Sequence, residues 1–429
     1  MRTMKSRKIY RYIKCIWKSV ELIVLSACVG TILLCVVSQI PQAAIFENTR
    51  TSVRLLCSEG IGSDVLSIKG STLDIYTDGL MINMAYTSAG SLKGTLLAST
   101  MQGETEDALA PIHEYLEGAS DEKETWNYTR YWHGYQIFLK PLLVIMSLTK
   151  IRALNMVLQL SLVFLVLYLC LRERNNASGL NLAIPFAVFW VTMSPIAIAS
   201  SIQFYSVFYP TLFAVIVLLL QKNNSFYKTW YIFLFTGILV GYFDLLTFPL
   251  VSLAVPLIFF FCHENGVCKR FFRQIGECIS FSISWCMGYA GMLVLRWAIA
   301  SAVSGTNVFR EGMNQILYRT AHEYSGTEYS LLSTIKTNLA DACNPLTFFA
   351  VCAGLVVVAV NFKKRVKKLN IPLMIILLVV SAYPFVWFFV VMQHSNMHHW
   401  MTYRNLCITI YGIMSLLYTN FRCGIESEL

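Results

Sequence analysis

Charge is scarce in this chain: Asp, Glu, Lys and Arg make up 14% of its 429 residues, against 56% hydrophobic residues. Mean hydropathy is +0.57. A soluble domain of this length has no interior large enough to hide so much apolar surface, so a water-soluble protein is excluded. There are thirteen cysteines, but none stands in a CxxC or CxxH spacing, and most lie inside apolar runs where the thiol acts as a small hydrophobe. A Walker loop, a dinucleotide glycine fingerprint and a serine nucleophile elbow are all missing, which sets soluble nucleotide chemistry aside. No DNA-binding signature, low-complexity segment or internal repeat is visible. The net charge of +10 need not mean nucleic acid, because much of it lies in short blocks between apolar runs.

What is present is a series of apolar runs with polar material gathered between some of them. Residues 1–21 carry Arg2, Lys5, Arg7, Lys8, Arg11, Lys14 and Lys18. The apolar run in 22–41 ends at Ser38-Gln39-Ile40-Pro41, a poor cleavage site, so it reads as an uncleaved first span with the N-terminus cytoplasmic. Residues 42–151 then form a long external loop holding Glu47, Asp64, Asp74, Asp78, Glu104, Glu106 and Asp107. Its run Tyr135–Leu148 is interrupted by Lys140 and Pro141 and reads as an interfacial helix.

Further apolar runs follow near 153–171, 180–200, 206–221, 230–243, 249–262, 278–302, 345–362, 371–391 and 405–420. They organise the chain into a bundle over 152–302, an external loop over 303–344 and C-terminal spans over 345–420. The loop 303–344 carries amphipathic turns at Val308–Arg319 and Tyr329–Leu339. The spacing predicts an all-α polytopic membrane protein of about ten transmembrane helices, with the tail 421–429 cytoplasmic like the N-terminus. That alternation puts Arg172 and Arg174, Lys222 and Lys228, Lys269 to Arg273, and Lys363 to Lys368 all inside. Cys57 and Cys343 are the cysteines in external segments, and whether they pair is left open.

The outer side therefore collects the acids and the histidines His113, His133, His322, His394, His398 and His399, with His263 the exception. Asp74 and Asp78, four residues apart in STLDIYTDGLMINMAY, can share a helix face. A carboxylate pair suits general-base work, Asp78 being the better candidate; the plainer alternative is capping of the apolar helix that follows. The cluster Gln393–Arg404, QHSNMHHWMTYR, sets His394 and His398 at i, i+4. It reads as half of a metal site, as a phosphate clamp built on Arg404 with His398 and His399, or as an interfacial belt with Trp400 and Tyr403. His394, Asn396 and Tyr403 are candidate substrate contacts. Asp244, in GYFDLLTFP, and Arg296, in LVLRWAI, either pair with each other or each face a cavity. YWHGY, Tyr131 to Tyr135, reads as an interfacial aromatic anchor whose His133 touches substrate.

Taken together, the pattern resembles the GT-C superfamily of integral-membrane glycosyltransferases. The resemblance is architectural over most of the chain: one span, a large acidic external loop, short interfacial helices and many further spans. STLDIYTDGLMINMAY, RYWHGYQIFLKPL, GYFDLLTFP and QHSNMHHWMTYRN also resemble bacterial membrane proteins associated with cell-surface polysaccharide assembly. The resemblance implies a polyprenyl-phosphate sugar as donor and a glycan or lipid-linked acceptor on the external face of the plasma membrane. It implies an acid of the first loop as base, the donor phosphate held by Arg404 and Arg296, no obligatory cofactor, and a divalent metal in some relatives only. The chain departs from the family in having only Glu47 soon after the first span, with the paired acids later. Membrane lipids are the remaining partners, and nucleic acid is not expected. Two other classes fit the composition: a flippase for lipid-linked sugars, and a noncatalytic subunit of an assembly complex.

Overall fold

A computed structural model of the chain describes residues 2–102, 109–119, 124–172, 176–221, 225–263, 271–324, 326–361 and 370–420. Glu104, Glu106, Asp107, Arg174, Lys222, Lys269, Lys363 to Lys368 and the tail 421–429 lie outside the described residues.

Helices follow the apolar runs because a chain in lipid must satisfy its backbone hydrogen bonds within each segment. Helix α1 (Arg2–Val37) joins the basic segment and the first apolar run without a break. Pro41 then starts α2 (Gln42–Glu59), followed by α3 (Ile75–Thr87), α4 (Leu92–Leu97), α5 (Ala110–Leu116) and α6 (Gln136–Ile145). The bundle continues as α7 (Leu148–Leu171), α8 (Asn176–Thr192), α9 (Pro195–Ser200) and α10 (Ile202–Leu220). Next come α11 (Phe226–Phe243), α12 (Val251–His263) and α13 (Phe271–Ser304). After α14 (Val308–Arg319) and α15 (Leu331–Ala342), the chain returns through α16 (Pro345–Asn361), α17 (Ile371–Ser381) and α18 (Tyr383–Val390). Short α19 (Met392–Met397) and α20 (His399–Thr402) lead into α21 (Leu406–Asn420).

This is an all-α membrane protein. Among the described residues five helices are long and apolar enough to cross a bilayer: Tyr12–Val37, Leu148–Leu171, Ile202–Leu220, Phe271–Ser304 and Ile371–Val390. A sixth arises if Leu331–Ala342 and Pro345–Val360, bent by 76°, count as one. The other expected spans are also helical but shorter, from the 13 residues of α12 to the 18 of α11. Pro185 and Pro256 lie inside α8 and α12.

The long loop is not an extended polar connection. Its helices bury Ile45, Val53, Leu56, Ile82, Met84, Ala85 and Ile112 in a core of their own, joined by Ile202 from the bundle. A small antiparallel ribbon, β1 (Ser99–Met101) with β2 (Thr125–Asn127), pairs Thr100 with Trp126. Apolar burial of this kind stabilises by about 25 cal/mol per Å², which is what lets the segment fold as a layer against the bundle. Helix α6 turns its polar Gln136 and Lys140 inward and leaves Phe138 and Ile145 exposed, the arrangement of a helix lying against lipid. YWHGY is not an exposed anchor: Tyr131, Trp132 and Tyr135 are buried, and Trp132 Nε1 donates to Met292 O at 2.6 Å. The expectation failed because Trp132 ties the loop layer to α13, while Tyr131 and Tyr135 pack within the loop layer against Tyr128 and Met84. No bridge joins Cys57 to Cys343; both are thiols.

Helices α11 and α13 approach each other closely. A Cβ on Gly288 would stand 2.3 Å from Leu234 O, and one on Gly237 2.1 Å from Trp285 O, so backbone meets backbone there. Gly276, on the same α13, has open space around it. Gly288→Ala is therefore expected to destabilise by at least the ~1–3 kcal/mol of an overpacked core. Gly276→Ala is expected to be neutral or to gain up to about 1 kcal/mol of helix propensity. Thermal unfolding of the two purified variants in detergent checks the contrast.

Candidate functional site

The bundle end beneath the loop layer is organised by the first turn of α10. Ser194 takes a left-handed backbone at φ +58 just before Pro195, and Ser201, in extended conformation, ends α9 and begins α10. The first N–H groups of a helix lack partners within it and carry the positive end of its dipole, so they attract anions. Acidic residues meet this turn at several points. Asp74 donates its backbone N–H to Ser201 Oγ at 3.0 Å. Asp78 Oδ1 accepts from Gln203 N at 3.3 Å, and Asp244 Oδ1 accepts from Ser206 Oγ at 3.1 Å. Phe204, in the same turn, lies 4.1 Å from the Arg404 guanidinium.

The two loop acids do different things. Asp74 caps α3, accepting from Thr77 N at 3.3 Å, so the plainer alternative holds for that residue. Asp78, in the first turn of α3, is wholly buried, and its Oδ2 has no hydrogen-bond partner. That oxygen stands 4.0 Å from Arg152 Nη2, which is also without a partner, while Arg152 Nη1 pairs with Glu59 at 2.5 Å. Burial pushes the Asp78 carboxyl well above the usual range; Arg152 pulls it back and Asp74 adds to the rise. A buried carboxylate with one uncommitted oxygen beside a cation is equipped to take a proton. Glu47, by contrast, is exposed on α2 and takes no part in the cluster.

Asp244 builds a turn. Its carboxylate accepts from Leu246 N at 3.0 Å, from Thr247 Oγ1 at 2.6 Å and from Thr247 N, besides Ser206. It does not pair with Arg296. That guanidinium is fully buried and donates to the carbonyls of Thr129 at 2.8 Å and Leu96 at 2.6 Å, tying the loop layer to α13. Arg404 is also enclosed, donating to Met193 O at 3.2 Å and Trp400 O at 2.9 Å, with its Nη2 unpartnered. His133 is buried, with Nε2 2.8 Å from Tyr128 O. Tyr403 is buried too and donates to Gly70 O at 2.6 Å.

His394 and His398 meet with ring centroids 4.7 Å apart and planes tilted by 53°, but among the described residues no three His, Cys, Asp or Glu side chains come together as metal ligands. His399 instead pairs with Asp341 at 2.5 Å, and Asn396 reaches Ser333 and Thr334 at 3.4 Å. Sequence reasoning missed Arg152, Ser201, Gln203 and Arg319. Arg152 opens an apolar run, where a cation reads as an ordinary interfacial anchor. Arg319 ends an amphipathic helix, where it reads as a complement to the dipole.

Beside this cluster runs an apolar groove of about 530 Å³ between α6, α7, α10 and α11. Leu139, Leu158, Phe213 and Leu239 are among its walls, and Tyr205 and Ser206 bring it to the first turn of α10. Tyr205 lies close enough to Asp78 and Arg152 to feel both charges.

Burial raises the Asp244 carboxyl from 3.8 to about 6. A raised folded-state value stabilises fully below the unfolded one and loses that contribution as pH rises through the folded one. Stability should therefore fall between about pH 4 and pH 6, with Asp74 and Asp78 acting in the same direction. Asp244→Asn is expected to flatten part of this slope. Unfolding measured across that range checks it, and an unchanged slope contradicts it. Comparison of the chain with protein-family models, with curated proteins and with solved structures finds no match in any of the three.

Proposed function

We propose that this protein is a GT-C-type membrane glycosyltransferase that moves a sugar from a polyprenyl-phosphate donor to a cell-surface glycan or lipid-linked acceptor. The observation that carries the reading is the uncommitted, buried Asp78 oxygen beside Arg152 and the N-terminus of α10, close to Tyr205 in the wall of an apolar groove. Such a groove suits a polyprenyl chain, and the acid beside it suits proton transfer at the chain's phosphate end. In this reading the shorter helices bring the spans to about ten. Both termini are cytoplasmic, and the end bearing Asp78 faces outward from the plasma membrane.

The acceptor hydroxyl gives its proton to Asp78 Oδ2 as its oxygen bonds the anomeric carbon. The bond from that carbon to the phosphate oxygen breaks, polyprenyl phosphate leaves, and the anomeric configuration inverts. Asp74 is a positioning residue in this scheme, since it caps the helix that carries Asp78. The N-terminus of α10 holds the other Asp78 oxygen and keeps the side chain aimed.

A second reading, movement of a lipid-linked sugar across the bilayer, draws on the interrupted helices: the break at Ser194 and the 76° bend between α15 and α16. The two readings separate in one experiment. Purified protein in lipid is given a panel of polyprenyl-phosphate sugars with candidate acceptors, and both donor consumption and transbilayer movement are followed. The transferase reading expects consumption that falls by about 10²–10⁴-fold in a folded Asp78→Asn variant. Movement without consumption, unaffected by Asp78→Asn, supports the second reading.

A further inference from the structure

Three buried or half-buried arginines at this end of the molecule form no ion pair among the described residues: Arg296, Arg319 and Arg404. Arg296 and Arg404 are sealed from solvent; Arg319, the last residue of α14, is only half-buried. Of these three it is the cation with both an unspent charge and a way in. Its Nε has no hydrogen-bond partner, and its Nη1 meets His394 Nδ1.

The hydrogen bonds define the state of that histidine. His394 Nε2 lies 2.8 Å from Leu246 O, and a carbonyl only accepts, so Nε2 carries the hydrogen. Nδ1 is then left with a lone pair, which accepts from Arg319. The ring is neutral, as its burial and the neighbouring Arg319 also favour. Leu246 is aimed by the Asp244 turn, in which it adopts φ +70 and donates to Asp244 Oδ2. A chain of contacts therefore runs from Ser206 through Asp244, Leu246 and His394 to Arg319. Because its last acceptor is neutral, it orients the guanidinium without cancelling its charge. Around it stand His398, whose Nδ1 has no hydrogen-bond partner, Tyr131 and Tyr289, the two tyrosines also neighbouring Asp244. The Asp244 carboxylate is occupied by its own turn and by Ser206.

We propose that Arg319, positioned by neutral His394, binds the phosphate of a lipid-linked substrate. Ser206 both bonds Asp244 and lines the apolar groove, so the chain of contacts links the groove wall to Arg319. The lipid-linked identity rests on the function proposed above; the anion chemistry rests on Arg319 itself.

The test is binding of a short-chain polyprenyl phosphodiester to protein in nanodiscs, with no turnover required. Losing one charge-assisted contact is expected to weaken binding about 10- to 100-fold in Arg319→Gln. His394→Leu is expected to weaken it similarly, whereas His394→Gln, which keeps a donor and an acceptor, restores it. Unchanged binding in folded Arg319→Gln or His394→Leu overturns the proposal. Should Arg319→Gln not fold, a photoreactive analogue of the same lipid decides. Labelling at the end of α14 and at His398 supports the proposal, and labelling elsewhere overturns it. Displacement by equal concentrations of inorganic phosphate, or of anionic phospholipid, overturns the substrate assignment; displacement by neither supports it. If wild-type protein binds the lipid but turns nothing over, the transferase reading fails and this site stands. If it turns over but Arg319→Gln binds normally, only this site falls.

Discussion

The N-terminus of α10 is the constraint on which this end of the molecule depends. Its free N–H groups and the hydroxyls of Ser201 and Ser206 hold elements that are remote in sequence: the loop helix α3 through Asp74 and Asp78, and the α11–α12 turn through Asp244. Its Phe204 ring supports Arg404 from the start of α21. Burying a carboxylate costs free energy unless dipoles or cations meet it, and the positive end of a helix is a fixed, preorganised source of both donors and potential. The break at Ser194 is what allows this helix end to sit inside the protein rather than at its surface.

Charges here are partnered unevenly. Arg152 serves Glu59 and leaves a gap to Asp78, while Arg296 spends its donors on carbonyls that fasten the loop layer. Arg404 stacks on aromatic rings, and Arg319 leans on a neutral imidazole. Arg296 and Arg404 are thus sealed, each with its Nη2 unpartnered, whereas Arg319 is only half-buried.

Much of the fold could be read from the sequence, because apolar runs in a greasy chain have few other uses. Val308–Arg319 matches α14 at both ends, and the runs at 278–302 and 405–420 lie within helices. The loop layer was less legible. Apolar residues in α3 face several directions because the helix is enclosed on all sides, and no periodic pattern announces that. For the site, residue type pointed to Asp78, Asp244 and His394. It could not tell which arginine keeps access to solvent, since Arg296, Arg319 and Arg404 look alike in sequence and differ only in what tertiary contacts do to them. Gln203 and Ser201 act through a helix terminus whose position depends on the break at Ser194, and no local motif signals it.

The most direct measurement of the central claim is an infrared titration of the carboxyl groups in lipid, on wild-type protein and Asp78→Asn. Burial raises Asp74, Asp78 and Asp244 alike, so Asp78→Asn is expected to remove one part of the protonated carboxyl band that persists above the ordinary aspartate range and to leave the part due to the other two. If the wild-type protein has only ionised carboxylates above that range, or if Asp78→Asn leaves the whole band unchanged, Asp78 is not the buried proton acceptor described here.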